Sequence, residues 1–189
     1  MKKWIIATAV VVLAAAGAFA GTATWQIDPM HSSAQFSVRH LGISNVKGEF
    51  EKISGTVVLD DQDISKSSVS ATIDASSINT RVQKRDDDLK SDKFFDVTKY
   101  PTMTFQSTKI WKTGDGTAKM TGNLTIHGVT KEVTFDVAGP TAPVNMMGVR
   151  RGASATAKIS RKDFGMTADA GFVGDEITIT LDIEMTQQK

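Results

Sequence analysis

An all-β fold is what this sequence predicts, either a sandwich or a closed barrel of antiparallel strands interrupted by one short helix. Three observations lead there. Apolar and polar side chains alternate with period two over most of the chain. The alternating runs are short and separated by turn residues, and one charged stretch over residues 81–91 shifts to helical spacing.

The first twenty residues stand apart from this pattern. A basic start, Met1-Lys2-Lys3, precedes an apolar run from Trp4 to Ala16 and a small-x-small site, Ala18-Phe19-Ala20. That layout is a secretory signal peptide of the bacterial type, and the run is too short to cross a bilayer comfortably. Cleavage after Ala20 is expected, leaving a mature chain of 169 residues as a single domain over 21–189. The expected location is the periplasm, with no transmembrane segment in the mature chain. The sequence has no cysteine, which removes a lipid anchor, disulfides, thiolate metal sites and cysteine nucleophiles together. Stability must then come from a core, for which the length suffices. Without Lys2 and Lys3 the balance is 20 basic against 21 acidic residues, which gives no bulk attraction to nucleic acid.

Within the mature part the alternation recurs strand by strand. Ala34, Phe36, Val38 and His40 share one parity, as do Val69, Ala71 and Ile73, and Met103 with Phe105. The same holds for Ala118, Met120, Gly122, Leu124 and Ile126, and for Val133, Phe135 and Val137. Ala153, Ala155, Ala157 and Ile159 follow, then Ile177, Ile179, Leu181, Ile183 and Met185. Shorter runs fall at 23–27, 46–50 and 55–59. Turn chemistry at 60–63, 113–116 and His127-Gly128 separates neighbouring runs as hairpin connections should. In the charged stretch, Val82, Arg85, Asp86 and Leu89 sit at helical spacing, and Phe94-Phe95 follow as an aromatic turn ended by Pro101. Such an insertion suits a lid or plug. Residues 139–152 read as an irregular loop, apolar at Met146-Met147 and basic at Arg150-Arg151.

If the fold is a barrel, small inward residues in several strands (Ala34, Ala71, Ala118, Gly122, Ala153, Ala155 and Ala157) leave volume unfilled. Large residues facing them across the interior would instead make it solid, and alternation alone leaves both outcomes open.

Residues that look chemical have simpler readings. Asp28, His31 and Ser32 invite a triad, but no Gly-x-Ser-x-Gly elbow occurs and Asp and Ser beside Pro29 shape turns. Asp86-Asp87-Asp88 lacks the alternating ligands and glycine of a calcium loop. His31, His40 and His127 show no metal-ligand spacing, so neither metal nor catalytic residue is assigned. Asn123-Leu124-Thr125 matches a glycosylation sequon, but a strand position and a bacterial-type signal argue against its use.

Several motifs together resemble the YceI-like family of bacterial periplasmic proteins. They are Trp25-Gln26-Ile27-Asp28 with His31-Ser32, Phe36-Ser37-Val38-Arg39-His40, Gly48-Glu49-Phe50, and Ile78-Asn79-Thr80. Arg85-Asp86 with Leu89-Lys90-Ser91, Phe94-Phe95-Asp96 and Tyr100-Pro101 follow. The run 122–130 and Arg161-Lys162-Asp163-Phe164-Gly165-Met166 complete them, with Val173-Gly174-Asp175. Asp88 departs from the pattern, where the family often has His. The resemblance implies a lipocalin-like, antiparallel eight-stranded barrel with a short helical insertion. It also implies a long-chain ligand in an elongated pocket: a polyisoprenoid, a prenyl quinone or a fatty-acid-like lipid. It brings no catalytic residues.

Strand parity then names Phe36, Val38, Met103, Phe105, Leu124, Phe135, Ile179 and Leu181 as wall. Loop position names Phe94, Phe95, Met146, Met147, Phe164 and Phe172 as gate, and Arg81, Arg85, Arg150 and Arg151 as head-group contacts. A buried Arg85–Asp86 pairing is expected to fix the lid helix. The sequence leaves monomer and homodimer both open. Competing readings are a solid-cored stress-response or interaction module, and a lipid-modifying enzyme.

Overall fold

The computed structural model describes residues 21–188, so the expected signal segment lies outside the described residues. Among the described residues, twelve strands join in one sheet. They are β1 (Thr22–Ile27), β2 (Ser33–His40), β3 (Ser44–Phe50), β4 (Ile53–Asp60), β5 (Ser68–Asp74) and β6 (Ile78–Asn79). After one helix, α1 (Gln83–Lys90), come β7 (Thr102–Gly114), β8 (Thr117–Ile126), β9 (Val129–Ala138), β10 (Val144–Asn145), β11 (Val149–Ser160) and β12 (Val173–Gln187). All strand pairings between these elements are antiparallel.

Eight strands close a ring in the order β1, β4, β5, β7, β8, β9, β11 and β12, because β12 pairs with β11 on one edge and β1 on the other. The expected eight-stranded barrel is therefore the architecture, and the sandwich alternative falls away. β12 is long enough to serve two partners on one edge. Its end pairs with β1 (Met185 with Ile27), and its earlier part pairs with β2 (Ile179 with Phe36). The β2–β3 hairpin thus extends beyond the ring, with the short β6 added to β3.

The predicted turns join consecutive strands. His127-Gly128 forms the β8–β9 hairpin with positive φ at both residues (52° and 73°), the geometry that matches strand twist. The segment read as an irregular loop over 139–152 is shorter than expected, because β11 begins at Val149. Arg150 and Arg151 concealed that strand. Their charge masks the alternation, while their backbones pair with Thr186 and Met185.

The core is the barrel interior, with Trp25, Ile27, Ile53, Met103, Phe135 and Met185 buried within it. Two glycines let aromatic rings lie against the sheet. A Cβ at Gly48 would meet the Phe36 ring at 2.5 Å, and one at Gly122 would meet the Phe105 ring at 2.4 Å. Gly122 therefore does not contribute free volume as expected; Phe105 occupies that space.

The helix packs against β6. The expected Arg85–Asp86 pair does not form, because both side chains converge on Thr80. Asp86 is buried and accepts hydrogen bonds from the Thr80 amide at 2.8 Å and hydroxyl at 2.5 Å. Arg85 donates to the Thr80 hydroxyl and carbonyl at 2.8 and 2.9 Å. Arg81, just before the helix, takes positive φ and sits at the surface. Asp86→Ala removes a charged acceptor and strands the buried Thr80 amide. It should lower stability by about 2–4 kcal/mol, read as a shift in urea midpoint with an unchanged denaturant slope.

Candidate functional site: an apolar cavity inside the barrel

Side chains that alternate inward along the strands surround a cavity of about 260 Å³. A single water needs about 10–15 Å³, so this space exceeds one water roughly twentyfold. Its length is set by β12, from which Ile177, Ile179, Leu181, Ile183 and Met185 all line it. Those residues span roughly 26 Å of strand at about 3.3 Å per residue. Of the alanines expected to leave volume, Ala34, Ala71, Ala118, Ala153 and Ala155 are in the lining, whereas Ala157 is buried outside it.

All eight residues named as wall (Phe36, Val38, Met103, Phe105, Leu124, Phe135, Ile179 and Leu181) border the cavity. Phe105 and Phe135 meet edge-on with ring centroids 5.2 Å apart. Among the residues named as gate, Phe94 and Phe95 border it, Phe95 standing edge-on to Phe50 at 5.5 Å. The other four lie elsewhere. Met146 and Met147 project from the β10–β11 hairpin into solvent, and Phe172 is exposed just before β12. Phe164 is fully buried outside the lining, in a 3-10 turn whose carbonyl faces His127 Nδ1 at 3.3 Å. His127 in turn meets Tyr100 edge-on at 4.7 Å and is not in the lining.

The four arginines named for a head group do not converge, and none borders the cavity. Arg85 is spent on Thr80. Arg151 grips Asp61 with two bonds at 2.5 and 2.9 Å and lies 5.2 Å over the Trp25 ring. Arg150 donates to Asp28 Oδ2 at 2.7 Å and to Glu184 Oε1. Arg81 makes no ion pair among the described residues.

The charged residue that does border the cavity is Arg161, which parity did not single out because it ends a strand. Its side chain is almost fully buried. The guanidinium donates to the carbonyls of Met166, Ala168, Val173 and Gly174 at 2.7–3.1 Å. A buried cation is tolerable there because backbone dipoles surround it and Asp175 lies 3.5 Å away. It gathers the 165–174 loop into one knot at the barrel rim. Arg161→Ala should cost about 3 kcal/mol or more, and Arg161→Lys should restore only part, because an ammonium cannot reproduce the fork. Chemical denaturation of the three proteins checks this.

Asp28, His31 and Glu184 bring ligand atoms within 4.8 Å of one another on the outer surface. A cation there would have to displace Arg150, which already neutralises both carboxylates. The group works as a clamp. His31 bonds Asp28 at 2.9 Å, the Asp28 amide donates to the Glu184 carbonyl, and Ser32 exchanges bonds with the Glu184 backbone. Hydrogen bonds from His31, then Arg150, then the Met30 amide hold the Asp28 carboxyl well below the ordinary carboxylate range. A depressed value means that the stabilisation is complete above the unfolded-chain value of about 3.9 and lost as pH falls through the folded-state value. Asp28→Asn should therefore be less stable than wild type at neutral pH. The gap should narrow as pH drops from about 4 toward 2, measured by urea titration at each pH.

Comparison with known proteins agrees with this architecture. A YceI-like domain matches residues 25–185. The chain is 35% identical to Protein YceI of Salmonella arizonae and to that of Salmonella paratyphi B, over the full length of each. The crystal structure of Burkholderia cenocepacia BcnA superposes with a TM-score of 0.76 at 25% identity, covering 84% of this chain and 98% of that one. The YCEI protein of Campylobacter jejuni gives 0.71 at 34% identity, covering 80% and 90%. A polyisoprenoid-binding domain from Saccharophagus degradans shares the fold at a TM-score of 0.65 and 14% identity, covering 87% and 98%. With a barrel closed by β12, an apolar interior and a match that spans nearly every strand, the chain belongs to the YceI-like family.

Proposed function

We propose that this protein binds a long isoprenoid chain, or a similar amphiphilic lipid, inside the barrel and carries it through the periplasm. The observation that carries this reading is the cavity. It is long, lined by aliphatic and aromatic side chains, and its one charged neighbour, Arg161, has its donors committed to backbone carbonyls. Water gains few hydrogen bonds in such a space, whereas each buried CH₂ contributes about 0.8 kcal/mol. Chain length and branching then decide fit, because the walls sit on strands and cannot drift. The likeness to a polyisoprenoid-binding domain supports the reading at the level of fold. The signal-like residues 1–20 support export.

In this reading Phe94 and Phe95 close the pocket at the helical insertion, where Leu89 also borders it. Of the four arginines named for a head group, Arg81 is the one exposed beside that helix without an acidic partner among the described residues, and so available to a polar head. The role is binding rather than catalysis.

Native mass spectrometry followed by organic extraction tests the reading. A stoichiometric isoprenoid or long-chain lipid supports it. A protein that takes up neither prenyl quinones nor prenyl phosphates overturns it. Ala155 is a sharper probe, because it faces the cavity between Leu181 and Val137 on the flanking strands. Ala155→Phe should reduce uptake of a prenyl chain by about tenfold or more while costing about 1–3 kcal/mol of stability. Unchanged uptake by the folded variant would remove Ala155 from the wall.

A further inference from the structure

The turn joining β2 to β3 runs against the usual chemistry of its type. Leu41 and Gly42 occupy its centre with φ of 53° and 70°, and the Ile43 amide bonds the His40 carbonyl at 3.1 Å. Two consecutive positive φ values at the centre of a turn call for Asn or Gly, and leucine rarely adopts them. The side chain placed there at that cost is not buried. Leu41 is 48% exposed, and Ile43 beside it is 77% exposed. A third apolar residue joins them: Phe172 is 62% exposed, and its carbonyl accepts the Leu41 amide at 2.7 Å. Two separate loops are thus tied into one apolar tip.

That tip adjoins residues of the cavity lining along the chain. Val38, three residues before Leu41, and Val173, next to Phe172, both line the cavity. Between these two valines and the tip stands His40, which pairs with Val173. Around the tip, Arg39 and Lys47 are exposed and have no acidic partner among the described residues. The Arg39 side chain folds onto the turn, donating to the Gly42 carbonyl at 3.2 Å and to Asn45 at 3.3 Å. Asp169 is the nearby acid within the Phe172 loop. Apolar side chains at the end of a hairpin, flanked by cations without acidic partners, match the interface of an anionic bilayer.

We infer that the tip formed by Leu41, Ile43 and Phe172 docks the barrel on a phospholipid bilayer, so that a lipid chain passes between membrane and cavity there. The inference rests on the lipid-binding reading for the cargo, but docking itself can be read without cargo.

Flotation with vesicles of phosphatidylethanolamine and phosphatidylglycerol is the test, with the same N-terminus in every variant. Wild type should float with the vesicles. Combined Leu41→Ser, Ile43→Ser and Phe172→Ser should lower the bound fraction by about tenfold or more. Leu41→Asn suits the turn, so it should match or exceed the wild-type melting temperature yet bind vesicles about threefold less or weaker still. Met146→Ser with Met147→Ser, at the hairpin paired with the far end of β12, should leave vesicle binding unchanged. Equal binding by wild type and the triple variant overturns the inference, as does a wild type that does not float. A dimer in size-exclusion chromatography that the triple substitution dissolves, without vesicle binding, overturns it in favour of a contact between two copies. A dansyl-labelled prenyl alcohol added from ethanol separates the two readings. Failure to bind this probe, with flotation intact, removes the cargo reading and leaves the docking.

Discussion

Closure of the sheet through β12 is the constraint on which the rest depends. An open sheet of this size would leave long edges of unpaired backbone, and closing the ring leaves only the short β10 and the β3–β6 extension as edges. β12 achieves this by pairing with β11 along nearly its whole length and with β1 and β2 in succession on the other side. The change of partner requires β1 to stop where β2 begins. Pro29 interrupts the ladder there, and Asp28, His31, Ser32 and Arg150 fasten the turn to Glu184, where β12 passes from one partner to the other. The charged groups that look most like a catalytic or metal site are the fastening of the barrel seam.

The same closure makes the cavity. Once the ring is complete, every second residue of each strand must point inward, whatever its size. Phe105 and Phe135 fill one region, and Phe36 lies flat against Gly48. The alanines of β2, β5, β8 and β11 leave space that no neighbour fills, because the strands are held at fixed separation by their hydrogen bonds. A packed helical core could shift to fill such gaps, but a closed barrel cannot. The hollow follows from alanine on a rigid wall.

Charge is managed locally throughout. Arg85 and Asp86 meet at Thr80, Arg151 at Asp61, and Arg161 among four carbonyls, so each ion organises a loop or a junction. That arrangement leaves the interior nearly free of charge, which suits an apolar guest. It leaves cations available at the surface, where Arg39 and Lys47 flank an apolar tip. Export, cargo and docking would then use different parts of one chain without competing for the same residues.

Much of this was legible in the sequence. Period-two alternation located the main strands and eight residues that border the cavity, since the pleat alone decides which side chains share a face. The charged run located the helix to within two residues, and His127-Gly128 announced its hairpin. Other features depended on partners distant in the chain. Whether the sheet closed and which arginines met carboxylates are settled by partners more than thirty residues away. Gly122 looked like empty volume, but a neighbouring strand supplied a ring to fill it. Arg161 carried no periodic signal, because its role is fixed by the carbonyls of a loop that folds back over it. The sequence by itself determined which residues face inward, because that is a property of each strand. Only the tertiary structure decided what those residues enclose, because volume and charge pairing arise between strands.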